Sequence, residues 1–178
     1  MVEPTKKAIG IFGGSFDPPH KGHLTISKIS LKKLNLKKIY WIVAKKNPFK
    51  KITFFNLNRR IKKSKTLTKK IKKIEVKFLD KLVKSSNTID IVKYLAKKNK
   101  NTKFFLIIGS DNLINFHKWK SWKNLLKISQ LVVFPRRGFD KKAKKSVITK
   151  YLKQNKIMFI KSKKIDISSS QLRKNYLS

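Results

Sequence analysis

The sequence predicts an α/β/α domain built on a parallel sheet of about five strands. Three observations carry that prediction. Strand-like and helix-like patterns alternate along the whole chain, as they do when each parallel strand is returned by a crossover helix. The two best strands, 8–12 and 104–108, are the continuous apolar runs Ala-Ile-Gly-Ile-Phe and Phe-Phe-Leu-Ile-Ile. A strand covered on both faces needs such a run, whereas a half-exposed strand alternates. The first run stops at Gly13-Gly14, which reads as a glycine turn between a strand and a helix.

The elements follow in order. After the strand 8–12, Pro18 and Pro19 precede a helix over 21–34 with apolar Leu24, Ile26, Ile29, Leu31 and Leu34. Residues 39–44 form the next strand. Residues 45–58 read as a loop containing Pro48, and a polar, Lys-rich helix then runs to about Lys70. The third strand, 74–79, alternates through Ile74, Val76 and Phe78. Ser85-Ser86-Asn87-Thr88 is a polar cap cluster for a helix over 89–98, whose apolar side is Ile91, Val92 and Leu95. The strand 104–108 ends at Gly109. A helix over 121–128, a strand over 131–134 stopped by Pro135, a helix over 140–154 and a last short strand over 157–160 complete the core. Ser168-Ser169-Ser170 cap a terminal helix through Tyr176. No internal repeat or low-complexity linker interrupts residues 1–178, so a single domain is expected.

Composition narrows the function. Lys and Arg number 47 against 8 Asp and Glu, a formal net charge of +39. So few carboxylates exclude an EF-hand or a carboxylate-bridged metal centre. The absence of cysteine excludes a disulfide scaffold, a thiolate metal site and a cysteine nucleophile. No apolar run is long enough to span a membrane, and Met1 to Lys7 lack the apolar stretch of a signal peptide, so a cytoplasmic protein is expected. The charge has three readings: nucleic-acid binding, capture of small polyanions, and compositional drift toward Lys, Asn, Ile and Phe. Five of the basic residues are Arg, at 59, 60, 136, 137 and 173. Bidentate phosphate recognition favours Arg, so most of the lysine excess reads as solvated surface.

Three segments carry chemistry. Gly13-Gly14-Ser15-Phe16-Asp17-Pro18-Pro19-His20-Lys21-Gly22-His23 puts strand, glycines and helix N-terminus in the order a nucleotide phosphate needs. Glycines let backbone N–H groups approach an anion, and the helix offers its positive end. The segment is neither a Walker A loop nor a dinucleotide G-x-G-x-x-G. His20 and His23 fall on one face of the first helical turn. A metal pair and two ordinary surface histidines are the other readings, and the third histidine, His117, lies in a different segment. Ile167-Ser168-Ser169-Ser170-Gln171-Leu172-Arg173 sets hydroxyls at a helix N-terminus with Arg173 one turn on, where bidentate bonds to phosphate are possible. Ile107-Ile108-Gly109-Ser110-Asp111 begins at a strand's carboxyl end and continues to Phe116-His117-Lys118-Trp119. Asp111 could accept from ribose hydroxyls, and the Trp119 indole suits stacking on a heterocycle. Trp122 reads as packing. Arg136 and Arg137, after the strand 131–134, could meet a triphosphate or face water.

The first segment resembles the (T/H)-x-G-H signature of the nucleotidyltransferase superfamily, and its full form is most similar to the nicotinate-mononucleotide adenylyltransferase family. The C-terminal segment is similar to that superfamily's I-S-x-(T/S)-x-x-R motif, with Ser170 where Thr is common. The third is similar to the family's G-(A/S/Q)-D-x-x-x-x-F-x-x-W. Ser86-Asn87-Thr88 stands where the family often has Ser-Tyr-Thr, and Asn47-Pro48-Phe49-Lys50-Lys51 resembles its N-P-x-x-K loop. The resemblance covers residues 8 to about 176.

The resemblance implies a Rossmann-like nucleotidyltransferase fold. It implies transfer of AMP from ATP to nicotinate mononucleotide, forming nicotinate adenine dinucleotide and pyrophosphate in NAD biosynthesis. His20 and His23 would donate to α-phosphate oxygens, and Arg173 with Ser168, Ser169 and Ser170 would hold the β,γ-phosphates. Gly13, Gly14, Ser15 and Phe16 would line the ATP phosphates, and Gly109 and Asp111 the adenosine. Trp119 would lie against the nicotinate ring, Thr88 would aim backbone N–H groups at its carboxylate, and Lys50 or Lys51 would contact phosphate. Mg²⁺ would be carried mainly by the ATP phosphates, with no metal site built by the protein. The alternatives are another acceptor (nicotinamide mononucleotide or phosphopantetheine) or a non-enzymatic nucleic-acid-binding protein on the same scaffold.

Overall fold

In the computed structural model, which describes residues 7–45, 53–152, 157–162 and 169–174, the strand β1 (Lys7–Gly14) lies between β2 (Lys38–Val43) and β4 (Thr102–Gly109) and is parallel to both. β3 (Ile74–Lys77) extends the sheet beyond β2, and β5 (Gln130–Phe134) and β6 (Ile157–Phe159) extend it beyond β4. The order is β3-β2-β1-β4-β5-β6, all parallel. The sheet thus has six strands where about five are expected, the sixth being a three-residue edge strand. The chain leaves β1 in one direction and returns to its other side at β4, so the carboxyl ends of β1 and β4 frame the crevice where sheets of this kind hold ligands.

The helices are α1 (Lys21–Lys33), α2 (Leu57–Thr68), α3 (Asp80–Val83), α4 (Thr88–Lys98), α5 (Ser110–Ile114), α6 (Trp122–Ile128), α7 (Asp140–Lys144), α8 (Val147–Tyr151) and α9 (Ser169–Lys174). The strand period of two divides the apolar runs between two cores. Ile9, Ile11, Leu106, Ile108, Leu131 and Val133 face one layer with Ile91, Val92 and Leu95 of α4. Phe12, Ile39, Trp41, Ile107, Val132 and Phe134 face the other, under α1 and α2. Fully burying one such side chain is worth roughly 1.5–3 kcal/mol, so the two central strands anchor both layers. Gly10 is the narrow point: a Cβ there would sit 2.9 Å from Leu36 Cδ1 and 3.0 Å from both Ile107 Cδ1 and Ile39 Cγ1.

Several boundaries differ from the pattern reading. Gly13 and Gly14 are the last residues of β1, paired with Ile42 and Val43, and the turn begins only after them. β3 stops at Lys77 because Leu79 turns into the core at the start of α3. The single helix expected over 140–154 is two short ones, since the Ser146 hydroxyl accepts from Thr149 N–H and starts α8 afresh. α5 was hidden within the segment following Gly109. The first residue of the terminal Ser cluster and Tyr176 lie outside the described residues, as do Lys50 and Lys51.

Candidate active site

α1 begins at the carboxyl end of β1, and His20 is its N-cap, with extended backbone. The His20 backbone N–H donates to Nδ1 of His23 (3.1 Å), and His23 N–H donates to the His20 carbonyl (2.9 Å). Because Nδ1 of His23 accepts, its neutral imidazole must carry the proton on Nε2, and the ring presents a donor. The two imidazoles are 3.8 Å apart. An aromatic bed holds the second one: Phe16 lies 4.9 Å from the His23 ring and is stacked 4.8 Å from Trp41. Trp41 Nε1–H donates to the Ser27 hydroxyl (2.8 Å), which donates to the His23 carbonyl (2.9 Å). Phe16 is 2% exposed and has φ 46°, a left-handed conformation that a side chain this large adopts only when its surroundings hold it.

The pKa of His20 is lowered to about 4, first by burial and then by the positive charge of Arg136. The ring is therefore neutral at pH 7 and offers one N–H. The folded pKa lies below the unfolded value of about 6.5, so the unfolded chain binds this proton more tightly. The stability linked to His20 is fully present above pH 6.5 and declines as the pH falls toward 4. An NMR titration of His20 should give a midpoint near 4. Arg136→Ala should raise that midpoint while leaving it below 6.5, because burial remains. An unshifted midpoint in Arg136→Ala contradicts the charge coupling.

The histidines share a cavity of about 300 Å³ with Gly13, Gly14, Ser15 and Phe16 at the end of β1, Gly109 and Asp111 at the end of β4, and Ser169 and Ser170 of α9. Two segments from opposite ends of the chain thus meet. The Ser169 hydroxyl donates to the Pro18 carbonyl (2.9 Å). Arg173 stands behind the serines, donating to the Asp17 carbonyl (2.7 Å) and the Ser170 hydroxyl (2.9 Å), and is not among the residues lining the cavity. Arg136 does line it, and its guanidinium donates to Asp111 Oδ2 at 2.6 Å. Asp111 Oδ1 is buried with no hydrogen-bond partner among the described residues. It rests against Gly109, where any Cβ would collide with it. Gly109 thereby makes room for the Asp111 carboxylate.

A second cavity, of about 380 Å³, shares Gly13, Gly14, Ser15 and Asn112 with the first. It runs to Thr88, the first residue of α4, and to Trp119. The floor is apolar (Ile11, Ile42, Leu106, Ile108), and the positive end of an eleven-residue helix closes one side. Asn87 turns its amide to the Ser85 hydroxyl (2.9 Å). Trp122 is partly buried against the core, with its ring 5.0 Å from Tyr151. Ser168, like the two lysines of the 47–51 segment, falls outside the described residues.

Three residues that line neither cavity tie the loops around them together, a role that no motif announces. Asp17 is 4% exposed, and its two carboxylate oxygens accept from Phe54 N–H (2.7 Å) and Phe55 N–H (2.8 Å). Asp80 Oδ2 accepts from Lys45 N–H (3.0 Å) and the Ser86 hydroxyl (2.9 Å). Arg60, 1% exposed, donates to the carbonyls of Ser15 (2.7 Å), Ala44 (2.8 Å), Lys45 (3.1 Å) and Phe55 (3.1 Å). The one sequence signal for Arg60 is the rarity of Arg in a lysine-rich chain.

A six-stranded parallel sheet with paired histidines after its first strand, and two cavities meeting at the switch point, is the plan of a nucleotidyltransferase domain. The family model described as cytidylyltransferase-like matches residues 11–175, and the chain belongs to that family, among its nicotinate-nucleotide adenylyltransferases. It is 49% identical to a "Probable nicotinate-nucleotide adenylyltransferase" of Pelagibacter ubique (strain HTCC1062), over 98% of this chain and 99% of the relative. A protein of the same name from Buchnera aphidicola subsp. Acyrthosiphon pisum (strain Tuc7) is 33% identical over 96% of this chain and 86% of its own. The fold is shared with Plasmodium falciparum nicotinic acid mononucleotide adenylyltransferase complexed with NaAD, with a TM-score of 0.72, 24% identity, and coverage of 94% of this chain and 83% of that one. Among the described residues no helix is long and apolar enough to cross a membrane.

Proposed function

We propose that this chain transfers the AMP moiety of ATP to nicotinate mononucleotide, forming nicotinate adenine dinucleotide and pyrophosphate. One observation carries the reading at the level of geometry: a nucleotide-sized cavity and an aromatic-walled cavity share a wall of Gly13, Gly14 and Ser15, with His20 and His23 on the first. ATP in one and the mononucleotide in the other bring an acceptor phosphate up to the α-phosphorus. A phosphate oxygen of the mononucleotide attacks it, the bond to the α–β bridging oxygen breaks, and pyrophosphate leaves on the opposite side. No protein nucleophile is required. Catalysis is positioning together with stabilisation of charge on the α-phosphate oxygens.

In this reading Nε2–H of His23 and the N–H of His20 donate to those oxygens. Ser169 and Ser170 hold the leaving phosphates, joined by Ser168, and Arg173 fixes the serines as well as adding charge. Asp111 receives adenosine hydroxyls. Trp119 stacks on the pyridine ring, the N-terminus of α4 at Thr88 receives its carboxylate, and Lys50 or Lys51 meets phosphate. Nucleotidyltransferases of this family typically use Mg²⁺. No group of three His, Cys, Asp or Glu able to hold an ion occurs among the described residues, and Asp111 is the one carboxylate lining the nucleotide cavity. That donor set suits an ion arriving on the triphosphate, mainly coordinated by phosphate and water. When bound, the ion neutralises phosphate charge.

The test is an incubation of the purified protein with ATP, Mg²⁺ and nicotinate mononucleotide, following pyrophosphate and the dinucleotide. Turnover should exceed that with nicotinamide mononucleotide or phosphopantetheine. Turnover confined to phosphopantetheine, or none at all beside salt-dependent RNA or duplex binding, overturns the reading.

A further inference from the structure

We infer that Arg60 is a positioning residue for adenylyl transfer, setting the direction of the Ser15–Phe16 peptide so that the Phe16 N–H faces the α-phosphate. The inference rests on the function proposed above. It starts from an oddity of burial. A guanidinium is almost never buried without carboxylate partners, because its charge loses hydration. Arg60 is 1% exposed and no carboxylate lies within ion-pair distance of it among the described residues. Burial lowers its pKa, and the charges of Asp17 and Asp80 oppose that from further off. Its partners are instead four backbone carbonyls, reached by three of its nitrogens.

Those carbonyls belong to the loops that end β1 and β2 and to the residue before Asn56, the N-cap of α2. One nitrogen, NH1, bridges Ser15 and Ala44, which follow adjacent strands. Both residues line the second cavity, and Ser15 lines both. A trans peptide is planar, so its N–H points opposite to its C=O. Holding the Ser15 carbonyl on Arg60 therefore turns the Phe16 N–H to the other side. Phe16 N–H donates to no described residue, and the cavity holding His20 and His23 is lined by Ser15 and Phe16. The same peptide leads into Phe16 at φ 46°. The Arg60 bond thus stabilises a left-handed residue whose ring supports His23 and whose N–H is left for a ligand. A lysine cannot substitute in kind, since one ammonium cannot reach four carbonyls spread across a planar fork.

Arg60→Lys and Arg60→Met test this alongside the wild type, with thermal unfolding recorded for each. Arg60→Lys should lose about 10–100-fold in kcat while KM for nicotinate mononucleotide stays within about twofold, the signature of an interaction made chiefly in the transition state. Arg60→Met should lose more. A kcat for Arg60→Lys within about twofold of wild type, or a loss equal to the loss of folded protein, overturns the inference. If both variants fail to fold, the wild-type protein decides: adding ATP with Mg²⁺ should move the Phe16 amide proton downfield in an NMR spectrum, and an unmoved resonance overturns the inference. Wild-type turnover separates the two claims. A wild type that turns over beside an equally active Arg60→Lys removes the role of Arg60 alone. A wild type without turnover removes the proposed function, while the Phe16 amide still reports on phosphate binding.

Discussion

His23→Ala should lower kcat by about 10²–10³-fold, with KM for nicotinate mononucleotide changed only a few-fold. The size is that of removing one preorganised donor from a site where charge develops. Three facts fit His23 to that proposed role. Its Nδ1 is occupied by the His20 N–H, so Nε2 carries the proton. Its ring is seated on Phe16, Phe12 and Trp41, which fix its orientation. It opens on the nucleotide cavity. Alanine also vacates an aromatic contact, so melting temperatures must accompany the kinetics. His23→Gln retains bulk and an amide donor and should recover part of the loss. A near-wild-type kcat for His23→Ala rules out the phosphate role.

Asp17→Ala should cost about 2–4 kcal/mol of folding stability, read by urea unfolding with an unchanged slope. The carboxylate takes two charge-assisted bonds from consecutive N–H groups. Phe55 is buried and its N–H would lose its acceptor without gaining water, whereas Phe54 is exposed and can be solvated. The penalty is therefore nearer one orphaned donor plus one lost bond than two orphans. Asp17 also offers its carbonyl to Arg173, so the loop that carries it joins the start of α2 to α9. Turnover should fall as well, by about tenfold, since small displacements of the loop between β1 and α1 are costly for the in-line transfer proposed above. An unfolding midpoint equal to wild type contradicts this account.

The sheet was legible because both central strands are buried on two faces and so are written as unbroken apolar runs. The gathering of His20, His23, Asp111, Ser169, Ser170, Thr88 and Trp119 was legible because short motifs carried them, and the parallel order brings strand ends together. What stayed hidden is the layer behind them. Arg60 sits in a helix crowded with lysines, and no local pattern distinguishes a guanidinium that turns inward from ammonium groups that face water. Asp17 lay inside the motif, yet its partners, 54 and 55, are supplied by a distant loop. The Asp111–Arg136 pair joins two strand ends separated by 25 positions, a distance that only the β4–β5 pairing closes. Helix boundaries failed where a single hydroxyl mattered, as at Ser146.

Two glycines three positions apart on β1 answer to different judges. A methyl at position 10 strikes three core side chains, whereas one at position 13 meets nothing within 4 Å, at a residue that lines both cavities. A variant at 10 would therefore announce itself as poor expression or a lowered melting point. One at 13 would pass every assay of folding and be silent until turnover is measured. Stability screens and selection for solubility are blind to a change at that bare strand end.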